Sequence, residues 1–277
     1  MSRNQALTSF SQDLYVSSSK IFTYLNCSLK YRFHYVEKRK PERLSIALPF
    51  GTAMHASLEL FYRSLKDGRN KEPLNALLET FEAVLSMELE KNAGTPVIWK
   101  KNTPDQAGAI TMGKSMLTAF YESIDLSGYA VVDVELPLSA PLYTDDGLPT
   151  EFMLVGILDL LLMDENSEAV IVDNKTLAQP MSQQAASENL QMHGYSYLCA
   201  ANKYVFPTAP VKCRFDVLRK LKTPKLEHVN TLRTAQDRKR FAKIANAVLA
   251  GIDASIYMPQ PNWMCSDCSY SDACKTF

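Results

Sequence analysis

"GILDLLLMDENSEAVIVDNKT", residues 156–176, decides how this chain is read. Two runs rich in Leu, Ile and Val flank the polar "DENSE" at 164–168, whose residue types favour a turn, so the stretch predicts an antiparallel hairpin. Centring the turn on Asn166 pairs Met163 with Ala169, Leu161 with Ile171 and Asp159 with Asp173. Opposed residues share a face, and Lys175, two along from Asp173, joins them. Two carboxylates and an ammonium thus meet in an apolar hairpin, where no charge is cheap to desolvate. A lone Asp-x-Lys is usually a structural ion pair. The second acid changes the balance, because two close carboxylates repel unless a cation stands between them, and hard oxygen ligands suit Mg²⁺ or Mn²⁺. A lysine at the edge of such a site can stabilise negative charge or orient an attacking water. A register slip of one residue would scatter the cluster.

Outward from the hairpin the texture is that of an α/β protein. "YAVVDVELPLSAPL" (129–142) and "VKCRFDVL" (211–218) read as strands, with another near 225–231. Apolar periodicity predicts helices over about 18–36, around Met54, Leu58, Phe61 and Leu65, and over 73–92, 105–125, 182–203 and 234–252. The 277 residues are expected to form a single domain (1–277), with a helical insertion at about 68–127 and a cysteine-bearing tail at 260–277. Thirty basic and thirty acidic residues cancel, which argues against a histone-like binder held by overall charge but not against an enzyme that visits DNA. "MSRNQALTSFSQDLYVSSSK" (1–20) lacks the apolar core of a secretory leader, and no run approaches the length of a membrane span; a cytoplasmic protein is expected. Its six cysteines are then expected to be thiols or metal ligands.

"GILD", "VDNK" and "QMHGY" (191–195) together resemble the core motifs of the PD-(D/E)XK nuclease superfamily, in its RecB/AddB-like branch, which includes nucleases associated with CRISPR adaptation. The resemblance implies a restriction-endonuclease-like core, a mixed β-sheet flanked by helices, and a Mg²⁺- or Mn²⁺-dependent deoxyribonuclease, an exonuclease on DNA ends or single strands. It implies that His55, Asp159 and Asp173 hold the metal, with the Asn174 backbone carbonyl as a further ligand, and that Lys175 supports the attacking water. Gln191 and Tyr195, at i and i+4 on one helix face, would help hold the active site and the nucleic acid. Glu59, one turn beyond His55, is a candidate to orient its ring. Glu135 is a weaker candidate, read more readily as an exposed strand residue.

Cys265, Cys268 and Cys274 are spaced C-x₂-C-x₅-C, with Cys27 near the other end of the chain. Four thiolates could hold zinc. A remote cysteine plus a terminal triplet also resembles the iron–sulfur staple of AddB-like and CRISPR-associated members, which implies a [4Fe–4S] cluster tying the chain ends. Cys199 and Cys213 read as small buried hydrophobes. Lys30, Arg32, Lys38, Arg39 and Lys40, interleaved with Tyr31, Phe33 and Tyr35, and Arg219, Lys220, Lys222 and Lys225 are candidate DNA-path residues. The resemblance implies a helicase or CRISPR integrase as partner. The reading from another class is a non-catalytic DNA-binding or scaffold subunit of such a complex.

Overall fold

A computed structural model describes residues 14–277; residues 1–13, part of the stretch inspected for a leader, lie outside the described residues. A short strand β1 (Tyr15–Ser17) runs into α1 (Ser18–Asn26), capped by Ser17, whose hydroxyl accepts from Lys20 N at 3.2 Å. The helix expected over 18–36 breaks at Cys27, which is extended (φ −166°), its Sγ accepting from Lys30 N to cap α2 (Ser28–Tyr31). A π-helical turn follows at Arg32–Val36. After β2 (Leu44–Ser45) come α3 (Ala47–Lys66), α4 (Leu74–Lys91), β3 (Val97–Ile98) and α5 (Gln106–Ser123). Then β4 (Tyr129–Tyr143), β5 (Pro149–Asp164) and β6 (Ala169–Leu177) form a meander. The helix expected over 182–203 is two: α6 (Gln183–Ser187) and α7 (Leu190–Ala201), the second started by Asn189, whose side chain accepts from Met192 N. Strands β7 (Val211–Arg219) and β8 (Lys225–Arg233), helix α8 (Ala235–Asp253), a 3₁₀ turn (Trp263–Asp267) and α9 (Ser271–Lys275) complete the order. Among the described residues, no helix is long and apolar enough to cross a membrane.

The hairpin has the expected register, Leu161 opposite Ile171 and Met163 opposite Ala169. Strand β6 then runs parallel to β7, and β8 closes the mixed sheet antiparallel to β7. One edge of β5 is taken by β4. The other is shared: β1 pairs with Met153–Val155 and β6 with Leu160–Met163. Over Gly156–Leu158, among the described residues, neither strand pairs with that edge, so the sheet is split there.

Each face of the sheet buries its own core. Ile171, Phe215 and Val217 pack with Leu198 and Phe241 under α7 and α8, while Leu160, Leu162 and Val172 pack with Phe50, Phe61 and Phe120 under α3 to α5. A regular strand sends alternate residues to one face. Here Val134 and Leu136 belong to opposite cores, as do Leu160 and Leu158. The phase flips at Glu135, whose φ of +49° is strained for a non-glycine residue, and at Asp159 across from it. Gly156 and Gly194 permit the close packing of α7: a Cβ on Gly156 would stand 2.8 Å from Leu198 Cδ1, and one on Gly194 2.2 Å from Ser18 Oγ.

Candidate active site

The flipped segment is where the ionisable groups collect. Met54 and Leu58 anchor α3 in the core, leaving His55 beside them facing the sheet at the flip. His55 Nδ1 stands 3.4 Å from Asp159 Oδ2 and 3.9 Å from Glu135 Oε1. Ligand atoms of His55, Glu135 and Asp159 all lie within 4.8 Å of one another. Asp159 is buried, and its Oδ2 also accepts from the Asn174 backbone N at 2.9 Å, so β6 is held here by a side chain after its ladder with β5. Glu135 falls between Val134 and Leu136, which face Leu160 and Leu158, and so sits opposite Asp159. One imidazole and two carboxylates, with one carboxylate buried, form a donor set suited to Mn²⁺ or Mg²⁺.

Asp173 is not in that trio. Its Oδ2 meets Lys175 Nζ at 2.7 Å. Lys175 Nζ also donates to Gln191 Oε1 at 2.7 Å, and Gln191 Nε2 donates to Tyr195 Oη at 2.8 Å. Thus the Gln and Tyr on one face of α7 fix the lysine side chain, which fixes the acid. Asn174 Oδ1 is buried with no hydrogen-bond partner among the described residues. The register sets Asn174 beside Asp216. Asp216 is clamped by Arg214, Nη2 to Oδ2 at 3.0 Å and Nε to Oδ1 at 2.8 Å, and by His228 Nδ1 at 2.6 Å. The Tyr62 hydroxyl is buried against this acid wall; desolvation, then the charge of Asp216, pushes its pKa well above the ordinary phenol value.

Several sequence expectations need correction. Glu135 is a half-buried strand residue beside His55, not an exposed one. Glu59 does not orient His55: its Oε1 takes Arg63 Nε at 2.7 Å. Within the first basic run, Tyr31 and Phe33 are buried, Arg39 stacks on Phe33, and Arg32 and Arg39 both pair with Glu37. In the second, Arg219 is buried against Glu227 and the Ala178 carbonyl, and Lys225 also holds Glu227. A run of basic residues does not reveal which of them carry partners.

Cys27, Cys265, Cys268 and Cys274 line one cavity of about 280 Å³ between the first helices and the tail. Burial, then the other three thiols, raises the Cys274 pKa. Backbone N–H groups of Lys30 and Asn262 point at Cys27 and Cys265 sulfur, each at 3.4 Å. Cys199 and Cys213 are buried elsewhere, in the core under α7 and α8, and desolvation pushes the Cys213 thiol up to about 12.

The mixed sheet is thus split beside a histidine, three acids and a lysine. The chain belongs to the PD-(D/E)XK nuclease superfamily, whose sequence profile matches residues 15–275. No curated protein matches it. Among solved structures it is similar to a protein of Eubacterium rectale named as a candidate exonuclease, at a TM-score of 0.53 and 10% identity, with 95% of this chain and 87% of that one covered. That likeness concerns the fold. The structure of SSO0001 aligns over 99% of this chain and 92% of that one at 10% identity, with a TM-score of 0.41, too low to bear on it.

Proposed function

We propose that the protein is a metal-dependent deoxyribonuclease of the RecB/AddB-like kind, an exonuclease working on DNA ends or single strands in the cytoplasm. The observation that carries this is the His55–Glu135–Asp159 trio placed beside the Asp173–Lys175–Gln191–Tyr195 chain. A Mg²⁺ or Mn²⁺ ion held there would polarise the scissile phosphate and ease deprotonation of the attacking water. His55, Glu135, Asp159 and Asp173 would supply its side-chain donors, with the Asn174 carbonyl as a further oxygen ligand. Lys175, kept in place by Gln191 and Asp173, offsets the charge that develops on the phosphate. The set is complete in ionisable groups, which favours catalysis over a role as a non-catalytic subunit.

The four cysteines would hold a [4Fe–4S] cluster that staples α2 to the tail. The resemblance of one remote cysteine plus a terminal triplet to the iron–sulfur staple favours this over zinc. The N–H groups aimed at Cys27 and Cys265 suit thiolate sulfurs that carry metal-bound charge. A helicase or a CRISPR integrase is the partner that would deliver DNA ends to such an enzyme. Incubating chelator-treated protein with end-labelled single- and double-stranded DNA, then restoring Mg²⁺ or Mn²⁺, tests the reading. Ion-dependent shortening of the label is expected; intact DNA under every condition would leave the scaffold reading standing.

A further inference from the structure

Where the sheet splits, a groove of about 330 Å³ opens beside the active site. Its floor is Val155, Gly156 and Ile157, next to the stretch of β5 edge that neither β1 nor β6 covers. One wall is the start of α1, with Ser18, Ser19 and Lys20; another is the π-helical turn, with His34 and Tyr35; Tyr15 flanks them, and Gln191 and Tyr195 join the groove to Lys175. Lys20 Nζ lies 3.6 Å from the Tyr15 ring centroid and 5.7 Å from that of Tyr35, and donates to the Tyr15 carbonyl at 3.2 Å. Among the described residues it has no carboxylate partner. Burial lowers its pKa.

We propose that this groove receives one nucleotide of a single DNA strand adjacent to the cleaved bond, with Lys20 as its phosphate contact and Tyr35 as a surface for its base. The inference rests on the nuclease reading and names the substrate form that site would take. An acid-rich catalytic centre repels a polyphosphate chain, so a cation with no carboxylate partner among the described residues is where the strand gains attraction. The groove's volume is at the small end of ligand sites, suited to one nucleotide. Cation and aromatic side by side is the chemistry of sequence-tolerant single-strand binding. The stretch of β5 edge left unpaired among the described residues adds backbone donors and acceptors that a duplex, with its base edges paired, has less need of.

Binding is measured apart from cleavage, by fluorescence anisotropy of a labelled oligothymidylate in chelator, across a series of salt concentrations. Lys20→Ala and the longer-stemmed Lys20→Gln are each expected to weaken binding about tenfold and to flatten the salt dependence by about 0.7 in slope. Lys20→Arg restores both, and a blunt duplex of the same length responds less than twofold. Thermal melts confirm that the variants are folded. Unchanged affinity and slope in Lys20→Ala and Lys20→Gln, or an equal loss for blunt duplex, would overturn the groove. Cleavage by the wild-type protein with Mn²⁺ is scored separately, so the groove can fail while the nuclease reading stands, and the reverse.

Discussion

His55 Nδ1 and Asp159 Oδ2 lie 3.4 Å apart, joining the middle of a helix to the middle of a strand that is separated from it by more than ninety residues of chain. Glu135 Oε1 stands 3.9 Å from the same nitrogen, and one imidazole with two carboxylates is a donor set that suits a shared cation.

Glu135 should therefore matter as much as the acids of the hairpin. Glu135→Gln is expected to weaken Mn²⁺ binding by about 10- to 100-fold, measured by calorimetry on the chelator-stripped protein, with the thermal melt little changed. Wild-type affinity in this variant would remove Glu135 from the centre.

Lys175 answers a different need. Lys175→Ala should reduce cleavage by at least about 100-fold while leaving Mn²⁺ affinity the same or higher, because a positive charge has gone from beside Asp173. Gln191→Ala, which frees Lys175 to move, should fall between this variant and wild type. Single-turnover rates with saturating Mn²⁺ separate the two effects.

These residues differ in how far the sequence discloses them. The turn in "DENSE" sets the register from Met163–Ala169 to Leu160–Val172, and Asp159 and Asp173 are the next residues along, just past the end of that ladder. Glu135 could not be placed this way. Counting back from Tyr143, which faces Pro149, an undistorted ladder would set Glu135 opposite Ile157; the irregularity between Pro141 and Tyr143 slides the register by two and delivers it to Asp159. The break at Cys27 was hidden for another reason: Ile21, Leu29 and Phe33 are all buried and keep helical spacing across it, although the backbone there is extended. Burial of Arg219 against Glu227 depends on pairing between β7 and β8, which the charge run "LRKLKTPK" does not encode.

The cysteine cavity yields a coloured or a colourless protein. Protein prepared without oxygen is expected to be brown with about four irons per chain. Cys27→Ala should lose the colour as fully as any change in the terminal triplet, and Cys199→Ala and Cys213→Ala should keep it. Loss of the cluster should also loosen the tail, whose Tyr270 Oη meets His34 Nδ1 at 2.7 Å in the π-helical turn. One zinc and no colour would leave the four ligands but replace the cluster.

His193 supplies a pH test of the fold away from the chemistry. It is buried on α7, and desolvation, then the charge of Arg233, lowers its pKa from 6.5 to about 4. Above pH 6.5 the ring is neutral in both folded and unfolded chains and costs nothing. As pH falls from 6.5 towards 4 the unfolded chain binds the proton first, so stability drops, by up to about 3 kcal/mol. Urea unfolding at pH 7.5 and pH 5 should show this loss in wild type and a smaller one in His193→Gln, which cannot titrate. Equal losses in both would show that other groups govern the acid limb.

The most direct test of the metal-dependent nuclease is cleavage of end-labelled single-stranded DNA by protein stripped of divalent ions, with Mg²⁺ or Mn²⁺ restored, beside Asp159→Asn and Asp173→Asn prepared the same way. The account predicts shortening of the strand by the wild-type protein only when an ion is present, and none by either variant. Cleavage in chelator, or full cleavage by both variants, would contradict it.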